Sequence, residues 1–251
     1  MKIALFSDVH ANLHALEAVW TQIERDKPDA VYCLGDLVGY GAYPNEVVEF
    51  IRGHEIPTVR GNYDEGVGLD LQDCGCAYKD RNQARLGKLS LQWSRIHTSD
   101  ENKGYLRSLP THIRLEEGHP HLLLVHGSPR KINEYLYEDR HQATFERVVK
   151  AAGTDVLLFG HTHLPYSKMV GTTLFVNTGS VGKPKDGDPR AGYVTLTLHR
   201  DVEVEFNRVE YDVEAASEAV LNAGLPPYFG TLLETGGLEP EELDANLFSI
   251  S

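Results

Sequence analysis

The sequence predicts an α/β fold built on a parallel sheet. Two observations carry this expectation. Short apolar runs alternate with amphipathic helical segments over the first sixty residues, and again between 122 and 159. Such alternation marks strand–helix–strand units with right-handed crossovers. Most of these apolar runs also stop at a polar turn, and the turns carry Asp, Asn or His. In open α/β sheets the carboxyl ends of strands are where ligands sit.

Residues 2–7 read as a buried strand closing on Asp8-Val9-His10. Asn12 is a plausible helix cap, and Leu13, Leu16, Val19, Trp20 and Ile23 recur at helical spacing. Pro28 and Asp29 break that pattern, and Val31–Leu34 is a second strand ending in Gly35-Asp36. Gly39-Tyr40-Gly41 leads into a helix with Val47, Val48 and Ile51 on one face. Ile56–Val59 is expected to be a third strand, ending in Arg60-Gly61-Asn62-Tyr63-Asp64.

From about 65 to 110 the alternation stops. This stretch predicts a helix from Asp80 to His97 and a shorter one near Asn102–Leu109. It has too few apolar residues for its own core, so it reads as a helical insertion over the strand ends. Strands resume at Ile113–Leu115 and Leu122–Val125, the latter ending in His126-Gly127-Ser128-Pro129. A helix with Ala143, Phe145, Val148 and Val149 on its apolar positions precedes the strand Val156–Phe159, which ends in Gly160-His161-Thr162-His163. Tyr166–Val170, Thr173–Val176, Tyr193–Leu198 and Val202–Val209 then look like antiparallel strands joined by tight turns. A short amphipathic helix spans 213–224, and an acidic tail with Pro226-Pro227 and Gly236-Gly237 follows from about 226. The whole of 1–251 reads as one domain.

Lys plus Arg is 24 and Asp plus Glu is 37, a net charge of −13. That balance disfavours nucleic-acid polymers and anionic membranes, which need a positive footprint. There is no secretory pattern at the N-terminus and no apolar run of membrane-spanning length. Cys33, Cys74 and Cys76 have no metal-type spacing, and reduced thiols are the expectation. A cytoplasmic location follows from these features.

Asp8, His10, Asp36, Asn62, His126, His161 and His163 all follow apolar strand runs, so they should gather on one sheet edge. Oxygen and imidazole donors in this number suit two divalent cations, with Asp36 able to give one oxygen to each. Here the sequence closely resembles the calcineurin-like metallophosphoesterases, in their small bacterial and archaeal phosphodiesterase-like branch. The motifs Asp8-Val9-His10, Gly35-Asp36, Gly61-Asn62, His126-Gly127 and Gly160-His161-Thr162-His163 stand in that family's order, and Asn177-Thr178-Gly179-Ser180-Val181-Gly182 extends the match.

The resemblance implies a four-layer αββα sandwich. It implies that Asp8, His10, Asp36 and His163 hold a first metal, and Asp36, Asn62, His126 and His161 a second. Mn²⁺ is the first choice, with Fe, Zn²⁺, Ni²⁺ or Co²⁺ able to substitute. A water or hydroxide bridging two such cations is a nucleophile at neutral pH. The expected reaction is hydrolysis of a small organic phosphodiester or nucleotide. Phosphomonoesters, phosphoproteins and dinucleoside polyphosphates are the alternative substrates. A metal-binding scaffold is the non-enzymatic alternative, since a retromer coat subunit of similar fold serves mainly in protein binding. Such scaffolds tend to lose ligands, whereas all seven positions are filled here.

The family usually places a His after Gly-Asn, followed by an acid; this chain has Tyr63 and Asp64. A tyrosine is a poorer proton donor at pH 7 than an imidazolium, so leaving groups that need little protonation are expected. Packing alone is the competing explanation of Tyr63. Asp36, Asn62, Tyr63 and Asp64 are therefore the catalytic candidates. Arg60, Arg130, Asn177 and Ser180 are the substrate-binding candidates, with Lys131, Lys183, Lys185 and Arg190 as further cations near the motifs. Solvated loop charge is the plainer reading of any single one. Tyr40 and Tyr43 could stack on a nucleobase or aryl group. The other eight histidines, at 14, 54, 97, 112, 119, 121, 141 and 199, read as surface or packing residues. The insertion and the tail are where substrate choice or self-association into a homo-oligomer would be encoded.

Overall fold

A computed structural model describes residues 1–118 and 120–239. The strands form two sheets. The first contains β1 (Lys2–Phe6), β2 (Ala30–Cys33), β8 (Ala191–Leu198) and β9 (Val202–Val209), in the order β2-β1-β8-β9. The second contains β3 (His112–Leu115), β4 (Leu122–Val125), β5 (Val156–Phe159), β6 (Tyr166–Val170) and β7 (Thr173–Asn177), in the order β3-β4-β5-β7-β6.

Alternation along each strand builds the layers. Ile3 and Leu5 of β1 face Leu122 and Leu124 of β4 and Val156 and Leu158 of β5 in the slab between the sheets. Ala4 and Phe6 point the other way, onto Leu16, Val19 and Ile23 of α1 (Leu13–Asp26) and Val47, Val48 and Ile51 of α2 (Pro44–Gly53). On the far side, Leu157 and Phe159 of β5 meet Phe145, Val148 and Ala152 of α6 (Gln142–Ala152). The result is the four-layer αββα sandwich.

Three sequence expectations change. The parallel sheet becomes two mixed ones: β1 pairs in parallel with β2 but antiparallel with β8, and β4, β5 and β7 are parallel while β3 and β6 flank them antiparallel. Strands apolar on both faces need cover on both sides, and a second sheet supplies it. Ile56–Val59 is not a strand; it makes one bridge, Cys33 to Thr58. Pro57 inside that run has no N–H to give a ladder. Beyond it, Asn62 opens a short helix, α3 (Asn62–Gly68), where the sequence reads as a loop.

The insertion holds the two expected helices, α4 (Arg81–His97, capped by Asp80) and α5 (Asp100–Ser108, capped by Ser99). Leu91, Leu106 and Leu109 sink into the same core as β1 and α1. The amphipathic segment is α7 (Val213–Asn222), and the start of the tail forms a further helix, α8 (Pro227–Glu234). Phe229, Leu232 and Leu233 of α8 pack with Val220 of α7 and Leu86 of α4. The tail from 240 to 251 and His119 lie outside the described residues. Among the described residues, no helix is long and apolar enough to cross a membrane.

Candidate metal centre

Both sheets deliver ligands to one place. Asp8 and His10 follow β1, Asp36 follows β2, His126 follows β4, and His161 and His163 follow β5. Asn62 is the first residue of α3. The sharp turns needed to aim consecutive side chains inward put Asp8, His10, Asp36, His161 and His163 in the left-handed region, with φ between 48° and 64°. Non-glycine residues adopt that region at a cost, and such outliers gather at functional sites. Glycine is required alongside: a Cβ on Gly61 would collide with the Asp36 carboxylate, and one on Gly160 with Asp8 and Ser7.

The described residues hold two groups whose donor atoms lie within 4.8 Å of one another: Asp8, His10 and His163, and Asp36, His126 and His161. Asp36 Oδ2 lies 3.7 Å from His10 Nε2 and 3.3 Å from His126 Nε2, so this one oxygen faces both groups. Its Oδ1 accepts from the Tyr63 N–H at 2.8 Å. The backbone of α3 thus holds Oδ1 and turns Oδ2 toward both histidine groups.

Each ligand is oriented from behind. His10 Nδ1 donates to Val38 O at 2.9 Å, His126 Nδ1 to Leu34 O at 2.8 Å, and His163 Nδ1 to Lys183 O. With the Nδ1 atoms turned to backbone carbonyls, each Nε2 faces the centre, the atom a metal-bound histidine offers. Asn62 Nδ2 donates to Cys74 O and Cys76 Sγ, both at 3.2 Å, which turns its Oδ1 to within 3.1 Å of His126 Nε2. Asp8 Oδ2 accepts from the Ser7 hydroxyl and the His161 N–H, leaving Oδ1 inward, 3.2 Å from His163 Nε2.

The electrostatics fit cations. Burial, with His163 close by, pushes His10 well below its usual range, and burial with His126 does the same to His161. Burial and then Lys185 lower His163 to about 4. These rings are neutral, the form that binds metal. Burial opposes charge on His126 as well, but Asp36 outweighs it and holds His126 up at about 10. Asp8 is held well below the carboxylate range: burial raises it, and the histidines led by His163 overcome that. Burial raises Asp36.

The donor set fits divalent metal ions on the structure's own terms. His10 Nε2 and His163 Nε2 meet at 3.2 Å, lone pair to lone pair. His161 Nε2 and Asp8 Oδ1 are buried with no hydrogen-bond partner. Acceptors without donors in a buried cluster are costly unless a cation lies among them.

The remaining candidates fall around this ring. Asp64 takes three backbone N–H groups, from Asp36 and Gly61 on Oδ2 and Leu37 on Oδ1, each at 2.8 Å. It positions the Asp36 loop. Tyr63 is fully buried, donates to Gly87 O at 3.5 Å, and packs edge-on to His10 with ring centres 5.4 Å apart. Asn177 bonds Gly160 O and Thr162 Oγ1, and the Ser180 hydroxyl donates to Asp8 O while accepting from Lys183 N. Both brace the turns that carry the ligands. Arg60 pairs with Glu65 at 3.2 Å, Arg130 with Glu134, and Arg190 with Asp188 at 2.7 Å. Sequence reasoning missed Cys76 behind Asn62, and Tyr135, whose ring lies 4.0 Å from that of His161. Neither carries a sequence signal, since both come from segments remote from the motifs.

Two groups of His and Asp at the meeting edges of two sheets, with Asp36 Oδ2 facing both, form a candidate site for a metal-dependent hydrolase. Residues 1–201 match the model of the calcineurin-like phosphoesterase superfamily domain. The chain is 34% identical over 252 residues to protein MJ0912 of Methanocaldococcus jannaschii, covering 93% of this chain and 98% of that one. It is 25% identical over 199 residues to the phosphodiesterase YfcE of Escherichia coli, covering 75% and 84%. A crystal structure of a metallophosphoesterase from Sphaerobacter thermophilus superposes with a TM-score of 0.73 at 33% identity, covering 94% of this chain and 99% of that one. The chain belongs to the calcineurin-like phosphoesterase superfamily, and it is a metal-dependent phosphoesterase.

Proposed function

We propose that the chain hydrolyses a small organic phosphodiester or nucleotide at a dinuclear centre. Asp8, His10, Asp36 and His163 hold the first ion; Asp36, Asn62, His126 and His161 hold the second. The observation that carries this is Asp36 Oδ2, set 3.7 Å from His10 Nε2 and 3.3 Å from His126 Nε2. Two bound cations supply an activated water and neutralise the phosphoryl oxygens. The chain's own residues do the rest. Its backbone carbonyls fix the histidine tautomers, Asp64 holds the Asp36 loop, and the buried ligand cluster excludes bulk water. Mn²⁺ is the proposed native ion. A reducing, cytoplasmic setting agrees with three free cysteines. The complete ligand set supports an enzyme over a scaffold.

Metal-stripped protein should regain hydrolysis of an aryl phosphodiester when Mn²⁺ is returned. Asp36→Asn should lower kcat/KM by at least about a hundredfold, as loss of a ligand shared by both ions implies. A panel adding an aryl phosphomonoester, a cyclic nucleotide and a dinucleoside polyphosphate ranks the substrate classes. No turnover of any of them by protein with two metals bound would overturn the reading.

A further inference from the structure

A cavity of about 410 Å³ opens beside the metal centre. Its volume falls within the range of small-molecule sites. It is joined to the ligands by shared walls: the Tyr40 ring stands edge-on to His10 at 5.0 Å, and the Tyr135 ring lies 4.0 Å from His161. Tyr78 lines it further out.

Three ammonium groups, those of Lys79, Lys183 and Lys185, line the same cavity. Among the described residues, none of them has a carboxylate at ion-pair distance, in a chain of net charge −13. The arginines that follow the motifs, by contrast, are paired. Lys183 is 8% exposed, and its Nζ lies over the Tyr40 ring at 4.6 Å. Glu239 also lines the cavity, but its carboxylate accepts from the Tyr228 hydroxyl at 2.6 Å and Gln83 Nε2 at 2.7 Å. Burial and then Lys185 lower Lys183 to about 7, as lysines crowded together without a counter-charge must be; an anion in the cavity relieves that crowding, and phosphate is the dianion that lysine commonly binds as a point charge.

The scissile phosphate has the two metals to neutralise it. The lysines are therefore left for a different charge on the same ligand. The Tyr40 and Tyr135 rings serve as walls: Lys183 and Phe229 pack on Tyr40, and Tyr135 lies against His161 and stacks on Tyr137. We propose that this cavity selects, among small organic phosphates and nucleotides, those carrying a second phosphate besides the one at the metals, and that Lys79, Lys183 and Lys185 hold that second phosphate. The proposal rests on the phosphoesterase reading for the place of the first phosphate.

The test is calorimetric titration of the Mn²⁺-loaded full chain, at constant free Mn²⁺, with AMP, α,β-methylene-ADP, adenosine 3′,5′-bisphosphate and inorganic phosphate. At least one of the two ligands with a second phosphate should bind ten times or more tighter than AMP. Lys185→Gln, a change at an exposed position, should remove most of that gain. Both two-phosphate ligands binding within threefold of AMP would overturn the proposal, as would a gain that survives Lys185→Gln and Lys79→Gln alike. Hydrolysis of an aryl phosphodiester, measured on the same preparation, separates the two readings. Turnover without the affinity gain sinks the cavity assignment alone, and the gain without turnover sinks the hydrolytic reading alone.

Discussion

Tyr63 occupies the position on which the expected leaving-group preference turns. Its ring is clamped against Gly39, where a Cβ would run into it, and against Tyr40 at 4.9 Å and His10 at 5.4 Å. Burial, with Tyr40 adding to it, raises its hydroxyl well above the ordinary tyrosine range. A group that binds its proton so firmly is a weak general acid at pH 7. Tyr63→His should therefore raise kcat/KM for alkyl phosphodiesters, relative to aryl ones, by roughly tenfold or more. The check is the ratio of the two constants in variant and wild type, and an unchanged ratio would assign Tyr63 to packing alone. Asp64, next in sequence, carries the opposite lesson. Burial and then Asp36 raise its carboxyl to about 7, and all three of its partners are backbone N–H groups. It acts through the loop it holds.

Among the elements, α8 decides the most for its size. It is capped by Pro226 and starts at Pro227 in a stretch that reads as tail, yet Phe229 is 3% exposed and its ring stands edge-on to Tyr40 at 5.3 Å. The helix thus fixes one wall of the cavity beside the metals. Trp93 of α4 donates its indole N–H to Ala223 O at 3.1 Å, tying the insertion to the same corner. Phe229→Ala should cost about 3–5 kcal/mol, the usual range for emptying a buried aromatic site. Equilibrium urea unfolding reads it as a lower midpoint at unchanged slope. A loss below about 1 kcal/mol would mean that α8 is not part of the cooperative fold.

At the scale of the whole molecule, the metal centre is a clamp between sheets. Each donor group takes residues from both: Asp8 and His10 with His163, and Asp36 with His126 and His161. Without cations the clamp is a buried set of facing lone pairs, so metal binding is folding free energy. At a thousandfold excess over Kd the gain is about 4 kcal/mol. For a chain of this size that is an upward shift of about 8–16 °C in Tm. Calorimetric scans with Mn²⁺ and with chelator measure it, and coincident transitions would refute the clamp. Metal uptake should also release about one proton at neutral pH, because His126 is held at about 10 by Asp36 against burial and must lose its proton to bind. Metal affinity therefore rises with pH across the neutral range.

Asp8, His10, Asp36, Asn62, His126, His161 and His163 were legible from sequence because their placement is local. Each sits where an apolar strand-like run stops, and such stops gather on one edge of an α/β sandwich. The surroundings of that centre were decided by how the chain packs. Arg60 and Arg130 read as free cations beside the motifs, and the fold turns each onto a near neighbour in the chain, Glu65 and Glu134. Lys183 and Lys185 look no different, yet among the described residues neither has a carboxylate at ion-pair distance, and both line the cavity beside the candidate metal centre. Cys76 reaches Asn62, Tyr135 reaches His161, and α8 reaches Tyr40 only once the insertion and the tail have packed. The sequence by itself determined where the two His and Asp groups gather, since strand-end geometry is set by neighbours in the chain. The tertiary structure alone decided which charges are paired among the described residues and which walls form the cavity beside those groups, since these depend on burial and on how separate segments pack.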